Sequence, residues 1–159
     1  MAYLLQNITN NVRSEELFHS GYTMSKNNIE EGSKKRILIV IEEINFLHSL
    51  TFTLKRKGYQ VFTATNGKQA YDIIMDLKND NNSLDLLIAD MQLPGYTGKE
   101  LINRIFKAKI NIPILLITDH AHTVTEFISE IKPAIECVVL NKPFDSKELL
   151  KRVAELLRG

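Results

Sequence analysis

The sequence lacks the features that mark secreted, membrane-spanning or strongly charged proteins. Its 159 residues include a single cysteine, Cys137, so no internal disulfide can form. We find no signal-peptide pattern and no apolar stretch of the ~18 residues that a membrane-spanning helix needs. Twenty Lys and Arg residues nearly balance 19 Asp and Glu residues, which gives no general attraction to nucleic acid or to an anionic membrane. These absences predict a protein of the reducing cytoplasm, with Cys137 as a buried packing residue.

The composition changes near Lys34. Residues 1–33 carry few regular signals, and we expect a flexible extension or one short amphipathic helix there. Because Met24 opens a plausible start of its own, the residues before it are also open to interpretation as an upstream extension of the reading frame. Residues 34–159 are predicted to form one domain.

Apolar runs and amphipathic segments alternate five times after Lys34. The predicted strands are residues 37–41, 59–64, 84–89, 112–117 and 136–140. Of the segments between and after them, two begin with capping boxes, at Thr97 and Asp145, and the first of these has Leu101 and Phe106 in its predicted inner stripe. Since parallel neighbours need helical crossovers, the pattern predicts a doubly wound α/β fold, with one parallel sheet covered by helices on both faces.

Polar side chains follow four of the predicted strands. Glu42 and Glu43 follow the first, Asp90 the third, Thr118 the fourth and Lys142 the fifth. Because the carboxyl ends of parallel strands lie at one edge of a sheet, we expect these groups to meet there. Such an edge is where open α/β sheets bind ligands.

These side-chain types point to phosphoryl-transfer chemistry. Two nearby carboxylates attract a hard cation such as Mg²⁺. The Lys142 ammonium can pair with Asp90 or with an anion attached to it, and the Thr118 hydroxyl can donate a hydrogen bond to a phosphoryl oxygen. Positioning and charge neutralisation of this kind do most of the work in phosphoryl transfer.

Four segments resemble segments of a known family, and they occur along the chain in that family's order and spacing. Residues 85–98, which include Asp90, resemble the phosphoacceptor segment of bacterial two-component response-regulator receiver domains. Residues 112–118 are similar to that family's fourth strand and switch threonine, and residues 141–144 to its lysine-proline turn. Residues 64–70 fit the usual opening of its second helix.

The resemblance implies a fold and a mechanism. The fold would be the flavodoxin-like receiver fold, with five parallel strands in the order 2-1-3-4-5. Asp90 would accept a phosphoryl group from a sensor histidine kinase or a phosphotransfer protein, and Thr118 and Lys142 would bind the phosphoryl oxygens. Mg²⁺ would be held by Glu42, Asp90 and the backbone carbonyl of Gln92. Phosphorylation would then switch the face formed by the fourth helix, fifth strand and fifth helix, which would bind a downstream protein or a second copy of the chain.

The chain departs from the family pattern at three places. Ile41 precedes Glu42 where the family has two adjacent acidic residues, which predicts weakened Mg²⁺ binding. Val139 replaces an aromatic residue that turns inward on activation. Asp119 replaces a small residue, and its charge would repel a phosphodonor or substitute in part for the missing acid.

Two functions therefore stay open. The favoured one is a phosphorelay receiver whose only catalysis is its own phosphorylation and dephosphorylation. The alternative is a degenerate receiver that acts as a phosphorylation-independent interaction module. An aspartyl-phosphate hydrolase is disfavoured because Gln92, two residues after Asp90, cannot act as a general acid. Because the sequence stops after the last predicted helix, we expect no output domain, and we expect protein partners and neither nucleic acid nor membrane.

Overall fold

Strands and helices alternate throughout residues 34–158, the part of the chain that the computed structural model describes. The strands are β1 (Arg36–Val40), β2 (Gln60–Ala64), β3 (Leu86–Asp90), β4 (Ile114–Thr118) and β5 (Cys137–Asn141). The helices are α1 (Ile44–Arg56), α2 (Gly67–Asn79), α3 (Gly98–Lys107), α4 (Ala121–Ile131) and α5 (Ser146–Arg158). The prediction for residues 1–33 lies outside the described residues, and the domain boundary at residue 34 stays a prediction.

The five strands form one parallel sheet in the order β2-β1-β3-β4-β5. Two apolar clusters cover it, one on each face. The α1 and α5 side chains pack on one face, and those of α2, α3 and α4 pack on the other. The predicted fold class, strand order and two-sided helical cover are therefore confirmed.

The central strand β3 is buried along its whole length. Its side chains alternate between the two faces, as the pleat requires. Leu86 and Ile88 join the cluster beneath α1 and α5, whereas Leu87 and Ala89 join the cluster beneath α2, α3 and α4. The same alternation directs Asp90, the last residue of β3, toward the α1–α5 side of the sheet.

Three strands run further than the apolar runs predicted. β3, β4 and β5 continue through Asp90, Thr118 and Asn141. Asp90 pairs with Ile117, and Thr118 pairs with Asn141, in the parallel ladder. Pairing depends on backbone groups, so a polar side chain at the strand end does not stop it. The candidate functional residues Asp90 and Thr118 are thus fixed by the sheet itself.

The predicted capping signals act at the N-termini of α3 and α5. Thr97 and Glu100 form a reciprocal capping box on α3, and the Asp145 side chain accepts a hydrogen bond from the Glu148 backbone N–H. The inner stripe predicted for α3 is wrong at one position, because Phe106 is 45% exposed near the end of that helix.

Among the helices of residues 34–158, none has the length and apolar composition of a transmembrane segment.

Cys137 is a buried packing residue at the start of β5. Burial raises the pKa of its thiol to about 12, and the nearby charge of Lys132 opposes this rise without cancelling it. A thiol with a raised pKa stays protonated at neutral pH, so Cys137 is poorly suited to nucleophilic chemistry.

Two glycines let the loop after β3 pack closely. A Cβ atom on Gly98 would lie 2.6 Å from the carbonyl oxygen of Asp90, and one on Gly67 would lie 2.1 Å from the carbonyl oxygen of Tyr96. The Gly98 N–H donates to the Met91 carbonyl, which closes the loop onto the end of β3. The backbone of the candidate site is therefore held by contacts that no larger residue permits.

We predict that Gly98→Ala destabilises the fold by roughly 1–3 kcal/mol, because the backbone at Asp90 and Met91 must move. Helix propensity alone would predict the opposite sign, since alanine favours a helix over glycine. Urea unfolding measures the difference. Lys107→Ala, at an exposed position of the same helix, is the control and should change stability by less than about 0.5 kcal/mol. An unchanged urea midpoint for Gly98→Ala would contradict the close approach.

Candidate phosphoacceptor site

Asp90 is one of two buried polar or charged residues within residues 34–158. Both of its carboxylate oxygens have partners. The backbone N–H of Gln92 donates to Oδ1 over 2.9 Å, and Lys142 Nζ lies 2.5 Å from Oδ2. Asp90 is only 6% exposed. Its buried carboxylate therefore has both a hydrogen-bond donor and a cation beside it, as a buried charge requires.

Lys142 reaches Asp90 from the far side of β4. It follows directly after β5, and its backbone N–H donates to the Thr118 carbonyl over 2.9 Å. In β5, Val138 and Leu140 face the α1–α5 side, and the alternation extended to Lys142 gives this residue the same side as Asp90. The Lys142–Pro143 peptide bond is cis. The predicted meeting of the carboxylate and the ammonium at the sheet edge is present.

The Lys142 ammonium has further neighbours. The sequence did not predict that these groups would lie together. Asp119 Oδ2 lies 3.9 Å from Lys142 Nζ. The Phe46 ring centroid lies 5.8 Å from the same nitrogen, within reach of a cation–π interaction. The Phe46 and Phe144 rings pack with their centroids 5.8 Å apart. The sequence signal was that Asp119 and Phe144 follow β4 and β5, and that Phe46 lies in the first turn of α1, the helix after β1.

Thr118 is buried at the end of β4, and its hydroxyl has a local partner. The His120 backbone N–H donates to Thr118 Oγ1 over 3.0 Å. Within residues 34–158, no side-chain hydrogen bond joins Thr118 to Asp90 or Lys142. Because Ile117 faces the α1–α5 side, alternation directs Thr118 toward the opposite side of the sheet. The structure therefore brings Asp90 and Lys142 into contact and leaves Thr118 as a neighbour on the adjacent strand.

The acidic residues after β1 have separate tasks. Both carboxylate oxygens of Glu43 accept backbone N–H groups at the start of α1, from Asn45 over 2.9 Å and from Phe46 over 2.7 Å. Glu42 is exposed, and its side chain makes no hydrogen bond or ion pair within the described residues. Ile41 is buried in the core at 1% exposure, where it offers no oxygen. One free carboxylate is thus left at this strand end.

The donor set is compatible with a magnesium site. Glu42 supplies a free carboxylate and Asp90 a second one, and Mg²⁺ is commonly held by one or two carboxylates with several waters. Residues 34–158 contain no cluster of three or more His, Cys, Asp or Glu side chains that could hold a metal ion. The ligand set Glu42, Asp90 and the Gln92 carbonyl stays a prediction.

Comparison with known proteins identifies the family. A family model described as the response regulator receiver domain matches residues 37–154, and the chain belongs to this family. It is 34% identical over 123 residues to the uncharacterized transcriptional regulatory protein YrkP of Bacillus subtilis, covering 77% of this chain and 49% of YrkP. It is 30% identical to the alkaline phosphatase synthesis transcriptional regulatory protein PhoP of the same organism, covering 78% of this chain and 49% of PhoP. The chain therefore spans about half the length of these relatives.

Solved structures agree. A CheY-like receiver domain protein from Methanospirillum hungatei matches with a TM-score of 0.67 and 26% identity, over 79% of this chain and 95% of that one. The response regulator TrrA of Thermotoga maritima, solved in complex with Mg²⁺-BeF, matches with a TM-score of 0.62 and 32% identity, over 77% and 99% of the two chains. The chain is thus a receiver domain of the two-component response regulators, a class of signalling domain.

We predict that Lys142→Met destabilises the protein by roughly 1–3 kcal/mol, because it leaves the Asp90 carboxylate buried without its charge partner. Adding Asp90→Asn to this variant should recover much of the loss, since the uncompensated charge is then gone. Urea unfolding of the two single variants and the double variant measures this. If the loss of stability in the double variant equals the sum of the losses in the two single variants, Asp90 and Lys142 are not energetically coupled and the prediction is wrong.

Proposed function

We propose that this chain receives a phosphoryl group on Asp90 from a histidine kinase or a phosphotransfer protein. The observation that carries the proposal is the 2.5 Å contact between Lys142 Nζ and Asp90 Oδ2 at the carboxyl edge of a receiver-type sheet. The ammonium holds the carboxylate in position, and it is already placed to neutralise the charge that a phosphoryl group would add. The family match makes phosphoryl transfer the expected use of this arrangement.

The transfer step uses a carboxylate and an ammonium that are already in contact. An oxygen of the ionised Asp90 carboxylate attacks the phosphorus atom of a phosphohistidine, forming an O–P bond. The P–N bond breaks, and its electron pair goes to the imidazole nitrogen. No proton need leave Asp90, because the attacking group is a carboxylate that is ion-paired with Lys142. Thr118 Oγ1 accepts a hydrogen bond from His120, so its own hydrogen is available for a phosphoryl oxygen. Beyond this self-modification, we assign the domain no enzymatic activity.

We further propose that Mg²⁺ binds weakly, through Glu42, Asp90 and the Gln92 carbonyl. The ion would supply positive charge for the phosphoryl oxygens. Ile41 provides no ligand, and Glu43 is engaged in capping α1. Weak binding follows because one free carboxylate, on Glu42, is left to complement Asp90.

The signal would pass to the surface formed by α4, β5 and α5. Thr118 ends β4, immediately before the loop into α4, so a phosphoryl contact with its hydroxyl would bias the position of that helix. Val139 is half-buried on the α4 side of β5 and cannot rotate as an aromatic residue would. We propose that a cytoplasmic partner protein or a second copy of the chain recognises this surface.

A phosphorylation-independent interaction module is the second candidate function. Two observations favour it: a buried isoleucine stands where an acidic ligand is expected, and Glu43 is engaged as a helix cap. In that case the ion pair between Lys142 and Asp90 would act as a structural element of the edge, and the α4-β5-α5 surface would bind its partner constitutively.

We predict that Mg²⁺ with a small phosphodonor adds one phosphoryl mass to the intact protein, and that Asp90→Asn abolishes the adduct. Intact-protein mass spectrometry measures both. Asp72→Asn, at an exposed position of α2, removes the same charge and should retain the adduct. No adduct with any small phosphodonor or with a kinase-derived phosphohistidine would favour the interaction module.

We predict that Glu42→Gln raises the Mg²⁺ concentration needed for half-saturation by roughly tenfold, because it removes a charged ligand. Glu43→Gln is the matched control, since an amide oxygen can still cap α1, and it should leave the Mg²⁺ affinity almost unchanged. Amide chemical shifts of residues 90–92 during Mg²⁺ titration measure both. Equal affinities of Glu42→Gln and the parent chain would exclude Glu42 as a ligand.

A further inference from the structure

The Lys142 ammonium lies between two carboxylates. Its Nζ atom is 2.5 Å from Asp90 Oδ2 and 3.9 Å from Asp119 Oδ2. The two acids differ in their surroundings, since the Asp90 side chain is 9% exposed and the Asp119 side chain is 49% exposed. One cation thus serves a buried carboxylate and a solvent-facing carboxylate at the same time.

The position of Asp119 at the end of β4 places it next to Lys142. Asp119 directly follows β4, the strand that lies between β3 and β5. Ile117 faces the α1–α5 side, and alternation gives Asp119 the same side as Asp90 and Lys142. Within residues 34–158, Asp119 has no ion pair other than the one with Lys142.

We propose that Asp119 is a positioning residue for Lys142 and opposes the binding of phosphoryl oxyanions at Asp90. This inference rests on the proposed function. Phosphorylation replaces the single negative charge of the Asp90 carboxylate with an acyl phosphate of charge about −2, so the site gains about one negative charge. The incoming group and Asp119 then compete for one ammonium, and their like charges repel each other. Asp119 therefore makes capture of an anionic phosphodonor less favourable than Asp90 and Lys142 alone would allow.

Steady-state phosphorylation by acetyl phosphate tests this for Asp119→Asn, an almost isosteric change. We expect KM for acetyl phosphate to fall roughly two- to fivefold with little change in kcat, which is the range of a partly exposed charge pair. The difference in KM between Asp119→Asn and the parent chain should become smaller as ionic strength rises, because salt screens exposed charges. A purely structural role would not produce that salt dependence.

Asp72→Asn is the matched control. It removes the same charge and also breaks an Asp–Lys pair, between Asp72 and Lys68 at 3.3 Å on α2. Its KM should equal that of the parent chain. An unchanged KM in Asp119→Asn, or an equal fall in both variants, would overturn the inference.

A double-mutant cycle decides the matter even if acetyl phosphate modifies none of the proteins. Asp119→Asn, Lys142→Met and their combination are compared by urea unfolding, with non-additive midpoints expected because the two side chains interact. Absence of phosphorylation would contradict the proposed function alone. Additive midpoints would show that Asp119 does not hold Lys142, and would overturn this inference whatever the phosphorylation result.

Discussion

The ion pair between Asp90 and Lys142 is the constraint on which the rest of this site depends. A carboxylate at the end of a fully buried strand is costly unless a cation neutralises it, and Lys142 does so from the turn after β5. The pair therefore ties the centre of the sheet to its edge strand across β4. Any charged group that enters the site therefore meets a carboxylate and an ammonium that already neutralise each other.

Strand alternation divides the functional groups between two sides of the sheet. Asp90, Lys142 and Asp119 belong to the α1–α5 side, and Thr118 belongs to the side covered by α4. A group attached to Asp90 would thus be held by the ammonium on one side, while Thr118 would sense it from the adjacent strand. This division offers a physical route from a local charge change to the position of a helix.

The fold and the central pair could be predicted from the sequence because they follow from short-range patterns. The apolar runs predict the strands, and the one or two residues after each run predict the sheet edge, so Asp90 and Lys142 are expected to meet. The exposure of Phe106, the capping role of Glu43 and the place of Phe46 beside Lys142 depend on packing angles and rotamers. Such features are set by three-dimensional contacts, which periodicity does not encode.

The central claim is that Asp90 and Lys142 form one chemically addressable site. A crystal structure of the protein soaked with Mg²⁺ and beryllofluoride tests it most directly. The account predicts a beryllofluoride group on an Asp90 carboxylate oxygen, with Lys142 Nζ moved from that carboxylate to a fluorine atom and the Thr118 hydroxyl turned toward the group. Beryllofluoride bound elsewhere, or an Asp90–Lys142 contact that stays closed at saturating concentrations, would contradict it.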